Sequence, residues 1–219
     1  MNEDAQRKAA GERAAEFVED GMVIGYGTGR GAVAALEALA RRKPRVRGVP
    51  TSEKTVEVCR RLGLPIVSLD EHPQLELVLD GADEVDPQRN LLKGGGGAHV
   101  REKLVALAAR QRIIIVEESK LVPRLGATRK VPIEVVAFGW TSTLARIAEI
   151  LPGAVRREGP LSDNGGVIVD APLPATADLL ETDQALKGVA GLVDHGLFLD
   201  LSPTVVVGGA TGVRVLSGG

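Results

Sequence analysis

Aromatic side chains are nearly missing from this sequence: one Trp, one Tyr and three Phe, 2% of the residues. Successive bases would have little to stack on, which argues against single-strand nucleic-acid binding. Surplus charge of either sign is missing too. Lys and Arg number 27 against 29 Asp and Glu, a formal net charge of −2, which makes no electrostatic case for nucleic acid or a membrane surface. Cys59 is the single cysteine, so no internal disulfide can form; its place in a helical pattern reads as inert core packing rather than a nucleophile. No apolar run approaches ~20 residues, the length of a membrane span. Met1–Gly11 is polar and lacks the apolar core of a signal peptide. A soluble, cytoplasmic protein is expected. At 219 residues the chain fits one large domain, or a domain with a smaller insert, and can bury a sizeable core.

What is present is an alternation of helical and strand patterns. Helices are predicted over about 4–19, 32–42, 53–62 and 98–110. Strands are predicted at Met22–Ile24, Val46–Val49, Ile66–Val67, Leu75–Leu79 and Ile113–Val116. Such an order implies a parallel sheet covered on both faces. After Lys130 the rhythm becomes strand (Ile133–Val136), helix (about 141–150), strand (Ala154–Arg157), strand (Val167–Asp170), helix (about 177–187), strand (Leu192–Leu199). That βαββαβ order is the split-βαβ, ferredoxin-like pattern. Thr204–Val207 and Val213–Leu216 return to the first sheet. The predicted fold is α/β: a Rossmann-like catalytic domain over 1–130 and 201–219, with a smaller α+β domain, 131–200, inserted near the C-terminus.

Three loops fall at strand ends of the parallel sheet, the edge where ligands of such folds bind. Gly25-Tyr26-Gly27-Thr28-Gly29-Arg30-Gly31 joins strand to helix and reads as a cradle for a small monophosphate. A dinucleotide fingerprint can be forced onto Gly27, Gly29 and Ala32, but the next strand ends in Val49-Pro50-Thr51 with no acid for a ribose hydroxyl, and no Walker loop occurs. Asp80-Gly81-Ala82-Asp83-Glu84-Val85-Asp86 holds four carboxylates. It lacks the spacing of a calcium loop, and His72, His99 and His195 form no ligand pair. Asp80 stands where an apolar strand emerges, suited to gripping sugar hydroxyls or moving a proton, whereas Glu84 and Asp86 are expected to be solvated.

The third loop, Lys93-Gly94-Gly95-Gly96-Gly97-Ala98, runs into a helix carrying Arg101-Glu102-Lys103. A flexible linker is the plain alternative, but linkers rarely interrupt an apolar βα pattern. A base, a cation and bare backbone amides within ten residues suit proton abstraction next to a carbonyl.

Together these loops, with Glu118-Ser119-Lys120-Leu121-Val122, Ser162–Ile168 and Gly191–Phe198, resemble ribose-5-phosphate isomerase of the A type, in order over nearly the whole chain. The resemblance implies a metal-independent, cofactor-free aldose–ketose isomerase of the pentose phosphate pathway. It would interconvert ribose 5-phosphate and ribulose 5-phosphate through an enediolate, as a homodimer or homotetramer. Glu102 would be the base, with Lys93 and the amides of Gly94, Gly95 and Gly96 neutralising oxyanion charge. Asp80 and Asp83, with Gly81 and Ala82 between them, would hold hydroxyls and assist ring opening. Thr28, Gly29 and Lys120 would hold the phosphate. One departure stands out: the family usually continues Thr-Gly-Ser-Thr where this chain has Thr28-Gly29-Arg30-Gly31. Two hydroxyls are missing, and Arg30 is expected either to replace them with a charged contact or to face solvent or a subunit contact. A sugar-phosphate sensor, an amino-sugar phosphate deaminase or a CoA transferase are the competing readings, and a dinucleotide enzyme the weakest. The Gly94–Gly97 and Glu102 pairing favours the isomerase.

Overall fold

The apolar runs that read as buried strands do line up in parallel. The computed structural model describes residues 1–217. In chain order its elements begin α1 (Glu3–Ala15), β1 (Val23–Tyr26), α2 (Arg30–Arg42), β2 (Arg47–Pro50), α3 (Glu53–Leu62) and β3 (Leu75–Gly81). The short strands β4 (Glu84–Val85) and β5 (Leu91–Leu92) precede α4 (His99–Ala108) and β6 (Ala109–Glu117), which ends in a single 3₁₀ turn, Glu118–Lys120. Then come β7 (Val131–Val135), α5 (Trp140–Ile150), β8 (Val155–Arg156), β9 (Val167–Ala171) and α6 (Leu179–Lys187). β10 (Leu192–His195), β11 (Leu197–Phe198), β12 (Thr204–Gly209) and β13 (Gly212–Leu216) complete the chain. No helix among the described residues is long and apolar enough to cross a membrane.

Packing divides the chain into two units. Unit 1 comprises Met1–Ala82, Arg101–Leu121 and the chain from Leu201 onward. Its six-stranded sheet has the order β13-β12-β6-β3-β1-β2, parallel except for the β12–β13 hairpin. One face buries Ala10, Ala14, Leu36, Leu39 and Cys59 of α1, α2 and α3 against Ile24, Leu77, Leu79 and Ile113. The other buries Val105 of α4 against Val23, Val49 and Val78. Cys59 is fully buried and burial pushes its thiol up to about 11, so it carries no thiolate at neutral pH.

Unit 2 comprises Asp83–Val100 and Val122–Asp200. Its four-stranded sheet, β10-β7-β9-β8, is antiparallel throughout, which is the strand order of a split βαβ repeat. Ile147 and Leu151 of α5 and Leu186 of α6 pack on Ile133, Val135 and Val169 of that sheet. A second, three-stranded sheet has the order β11-β5-β4.

Four expectations need correction. The segment 83–100, assigned from sequence to the first domain, packs with unit 2, because β4 and β5 pair with each other and β5 with β11. Val122–Lys130 goes with it, anchored where Val122 N–H donates to Val85 O. The run Leu192–Leu199 is two strands rather than one. It breaks at Gly196, where the Lys93 carbonyl lies so close that no side chain fits, so its halves join different sheets. The predicted strand at Ile66–Val67 amounts to an isolated bridge between Ile66 and Gly48.

Candidate active site

Because β1, β2, β3 and β6 run parallel, their C-terminal ends gather on one edge of unit 1. β1 and β3 are neighbours, yet the chain leaves β1 toward β2 on the far side, so the loops after β1 and β3 flank the point where strand order reverses. Asp80 is buried there. Its Oδ1 accepts from Thr28 N–H at 3.0 Å and Gly81 N–H at 2.8 Å, tying the phosphate-type loop to the acidic loop. Gly27 is the residue this approach demands, since a Cβ there would run into the Asp80 carboxylate and the Leu79 carbonyl.

The Thr28 hydroxyl faces inward. Its Oγ1 lies 2.8 Å from Thr51 Oγ1, 2.8 Å from Ser52 Oγ and 2.9 Å from Thr55 Oγ1. Thr55 Oγ1 also donates to Gly27 O at 3.1 Å, and Thr51 Oγ1 to Tyr26 O at 3.2 Å, so both protons are committed to backbone. The one Thr28 proton is then directed into the cluster, and Thr28 fixes its loop through its side chain. Sequence reading missed this cluster, although Pro50-Thr51-Ser52 lies at the end of β2 and Ser52 has the mark of an N-cap: its Oγ accepts from Thr55 N–H at 3.0 Å. Arg30 is exposed at the first turn of α2 and makes no hydrogen bond or ion pair among the described residues. At Gly31 a Cβ would meet the Ile115 carbonyl at 2.5 Å, so the approach of α2 to β6 leaves no room for a side chain there.

Glu102 lies in the first turn of α4 and is 5% exposed. One turn further on, Val105 covers Gly25 of β1, which admits no Cβ beneath it. α4 leads from the C-terminal edge of the sheet back to the start of β6, so Glu102 is displaced toward the edge that carries Thr28 and Asp80. On the same edge the 3₁₀ turn bearing Lys120 is pinned residue by residue. Arg7 Nε donates to the buried Glu117 carboxylate at 2.6 Å, Arg214 pairs with Glu118 at 2.9 Å, and Ser119 donates to Glu3 at 3.1 Å. Lys120 itself is partly exposed and makes no ion pair among the described residues.

Unit 2 carries the remaining candidates. Lys93 is 2% exposed, with its ammonium 5.6 Å from the Phe198 ring centroid, close enough for cation–π attraction. Asp83 Oδ2 accepts from Gly95 N–H at 2.7 Å. Gly94 has φ of +100° and Gly97 +80°, bracketing a tight turn that L side chains would strain. Arg157, which sequence reading passed over, reaches this turn: Nη1 lies 3.2 Å from Gly94 O and 3.1 Å from Gly95 O. The two carboxylates expected in solvent are buried. Glu84 is fully inaccessible and accepts from Gly126 N–H, Thr128 N–H and Oγ1, and Arg129 N–H. Asp86, 6% exposed, accepts from Asn90 N–H and Nδ2 at 2.8 and 2.9 Å. Both close loops, which is why an acidic heptapeptide can be packed rather than hydrated.

The family model for ribose 5-phosphate isomerase A (phosphoriboisomerase A) matches residues 47–212. The chain belongs to this family. A ribose-5-phosphate isomerase A from Desulfatibacillum aliphaticivorans is 44% identical, the match covering 97% of each chain. That of Caulobacter sp. (strain K31) is 45% identical over 97% of this chain and 98% of its own. Among solved structures, a D-ribose-5-phosphate isomerase in complex with phospho-erythronic acid superposes with a TM-score of 0.94 at 35% identity, covering all of both chains. Ribose 5-phosphate isomerase A from Methanocaldococcus jannaschii gives 0.91 at 33% identity, covering 98% of this chain and 99% of that one. The Rossmann-like and ferredoxin-like architecture is therefore that of ribose-5-phosphate isomerases, and the motif residues lie on elements of that fold.

Proposed function

We propose that this chain interconverts D-ribose 5-phosphate and D-ribulose 5-phosphate by moving one proton between C2 and C1 through an enediolate. The observation that carries the reading is Glu102: a buried carboxylate on the first turn of the helix that follows the glycine turn, in a chain of this family. In the open-chain aldose Glu102 removes the C2 proton, and the electron pair left behind delocalises onto the C1 carbonyl oxygen. Once the hydroxyl proton has passed from O2 to O1, returning the carbon-bound proton to C1 gives the ketose and restores the carboxylate, so one base serves both halves. Lys93 and the N–H groups of Gly94 and Gly96 stabilise the enediolate oxygens, a contribution that grows as charge develops, whereas Gly95 N–H is spent on Asp83 Oδ2. Asp80 and Asp83 grip hydroxyls and carry the proton of ring opening. Gly29, Arg30 and Gly31 offer the amides at the start of α2 to the phosphate, held in place by the Thr28 hydroxyl cluster, and Lys120 adds a positive charge. The substrate is a small sugar phosphate, and the reading carries with it a cytoplasmic homodimer or homotetramer without nucleic-acid or membrane partners.

The related structure is a complex with phospho-erythronic acid, a sugar phosphate that ends in a carboxylate and so resembles the charge of an enediolate, which makes the same compound a suitable probe of this chain. The direct test is ribulose 5-phosphate formation from ribose 5-phosphate with EDTA present. Turnover that resists chelation supports the reading, and a folded chain without turnover sinks it. For Lys120→Ala we expect KM to rise about 10- to 100-fold, the worth of one ionic hydrogen bond. Its kcat should stay within a few-fold; a collapse of kcat at unchanged KM would contradict a phosphate-holding role.

A further inference from the structure

Four consecutive glycines have no side chains with which to fix their own peptide planes, and glycine visits positive φ at little cost. Inside the turn Gly97 N–H holds the Gly94 carbonyl at 2.9 Å, but the Gly95–Gly96 peptide can flip cheaply unless something outside the turn opposes it. Arg157 is placed to do so. Its guanidinium is anchored in bidentate fashion on Asp170, Nε to Oδ2 at 2.7 Å and Nη2 to Oδ1 at 2.5 Å. The remaining nitrogen, Nη1, donates to the carbonyls of Gly94 at 3.2 Å and Gly95 at 3.1 Å. The structure has no cis peptide bond among its described residues. In a trans peptide C=O and N–H point in opposite directions. Fixing the Gly94 carbonyl on the guanidinium turns Gly95 N–H away from it, and that N–H is the one that meets Asp83 Oδ2 at 2.7 Å. Fixing the Gly95 carbonyl turns Gly96 N–H away from the guanidinium by the same rule.

We propose that Arg157 is a positioning residue of the isomerisation: locked on Asp170, it holds two successive peptide planes of the glycine turn, so that Gly95 N–H stays on Asp83 Oδ2 and Gly96 N–H faces the oxyanion. The inference rests on the isomerase reading above, in which the Gly96 amide meets developing negative charge. Arginine is required because its planar fork serves a carboxylate and two carbonyls at once, which a single ammonium cannot do. The positive charge on the carbonyl side also polarises both peptides, making their N–H groups better donors. An oxyanion hole of backbone amides is useful only when it is ordered before the charge appears. Here that order comes from a residue 62 positions further along the chain than Gly95.

The test compares wild type, Arg157→Lys, Arg157→Ala and Asp170→Asn in steady-state isomerisation and in binding of phospho-erythronic acid by calorimetry. For Arg157→Ala we expect kcat to fall about 10- to 100-fold with KM changed less than about threefold, short of losing a whole oxyanion donor. Affinity for phospho-erythronic acid should fall by a similar factor, and millimolar guanidinium should restore part of kcat in Arg157→Ala while leaving wild type unchanged. Arg157→Lys should keep the charge and lose most of the rate. A kcat within about twofold of wild type in all three variants, with unchanged affinity for the probe, would overturn the inference. So would a loss of rate that follows only a lowered unfolding midpoint and that guanidinium does not repair. If Arg157→Ala does not fold, Asp170→Asn, which keeps the arginine and frees it from its anchor, decides. Wild-type turnover tests the isomerase reading separately, and probe affinity reports on Arg157 without turnover.

Discussion

Glu102→Gln is expected to fold, to bind ribose 5-phosphate with KM within a few-fold of wild type, and to lose about 10²–10⁴ in kcat, the usual worth of a positioned general base. The substitution removes one ionisable oxygen and leaves the shape of the side chain, so packing around the first turn of α4 is kept. Glu102 is 5% exposed, and an amide is no harder to bury than a carboxylate. The amide cannot take up the C2 proton, so both directions of the reaction should slow together, as the equilibrium between the two sugars belongs to them and not to the protein. The sharpest readout is exchange: in deuterated water the wild type should wash solvent deuterium into the sugar at the carbon that loses its proton, and the variant should not. A variant as active as wild type would remove Glu102 from the mechanism, and the isomerase reading would then need another base.

Much of this site is legible in the sequence because local chemistry dictates it. The helix predicted over 53–62 is observed as Glu53–Leu62, capped at its start by Ser52 and closed by Gly63 at φ +69°. The βαββαβ rhythm after Lys130 gives the strand order of unit 2, since hairpin and crossover connections leave few arrangements open. Asp80 at the end of an apolar strand and Lys93 beside the glycine run are likewise local signals. What sequence reading missed is settled by partners far along the chain. Ser52 and Thr55 face Thr28 across 24 and 27 residues, and Arg157 meets Gly94 across 63. Nothing in the string Val155-Arg156-Arg157-Glu158 marks which arginine turns inward. The helix predicted to residue 19 stops at Ala15, because Phe17 and Val18 N–H tighten onto Ala14 O and Ala15 O and Val18 packs into the core.

The acidic loop shows the same division most sharply, and it supports the largest expected effect on stability. Four carboxylates within seven residues look alike in sequence, yet Asp80 ties two loops together, Asp83 holds a glycine amide, Asp86 closes its own turn and Glu84 is buried as a structural acceptor. Glu84 Oε2 accepts from Gly126 N–H at 2.6 Å. Oε1 accepts from Thr128 N–H at 2.6 Å, Thr128 Oγ1 at 2.7 Å and Arg129 N–H at 2.8 Å. An ionised carboxylate out of contact with water is tolerable only because those donors replace its hydration. Glu84→Ala removes the acceptor and strands the donors of the loop leading into β7. Part of that loop is exposed and can rehydrate, so the cost is set at about 2–4 kcal/mol rather than the sum of four bonds. That corresponds to a fall in unfolding temperature of roughly 5–15 °C for a chain of this size. Glu84→Gln keeps the shape but places an amide N–H₂ against a backbone N–H, so it should fall between wild type and alanine. Activity per folded molecule should hardly change, since Glu84 is spent on the loop. Thermal or urea unfolding in which Glu84→Ala matches wild type within about 0.5 kcal/mol, as for an ordinary surface position, would mean that the carboxylate is hydrated after all, as a reading of the acidic run alone suggests.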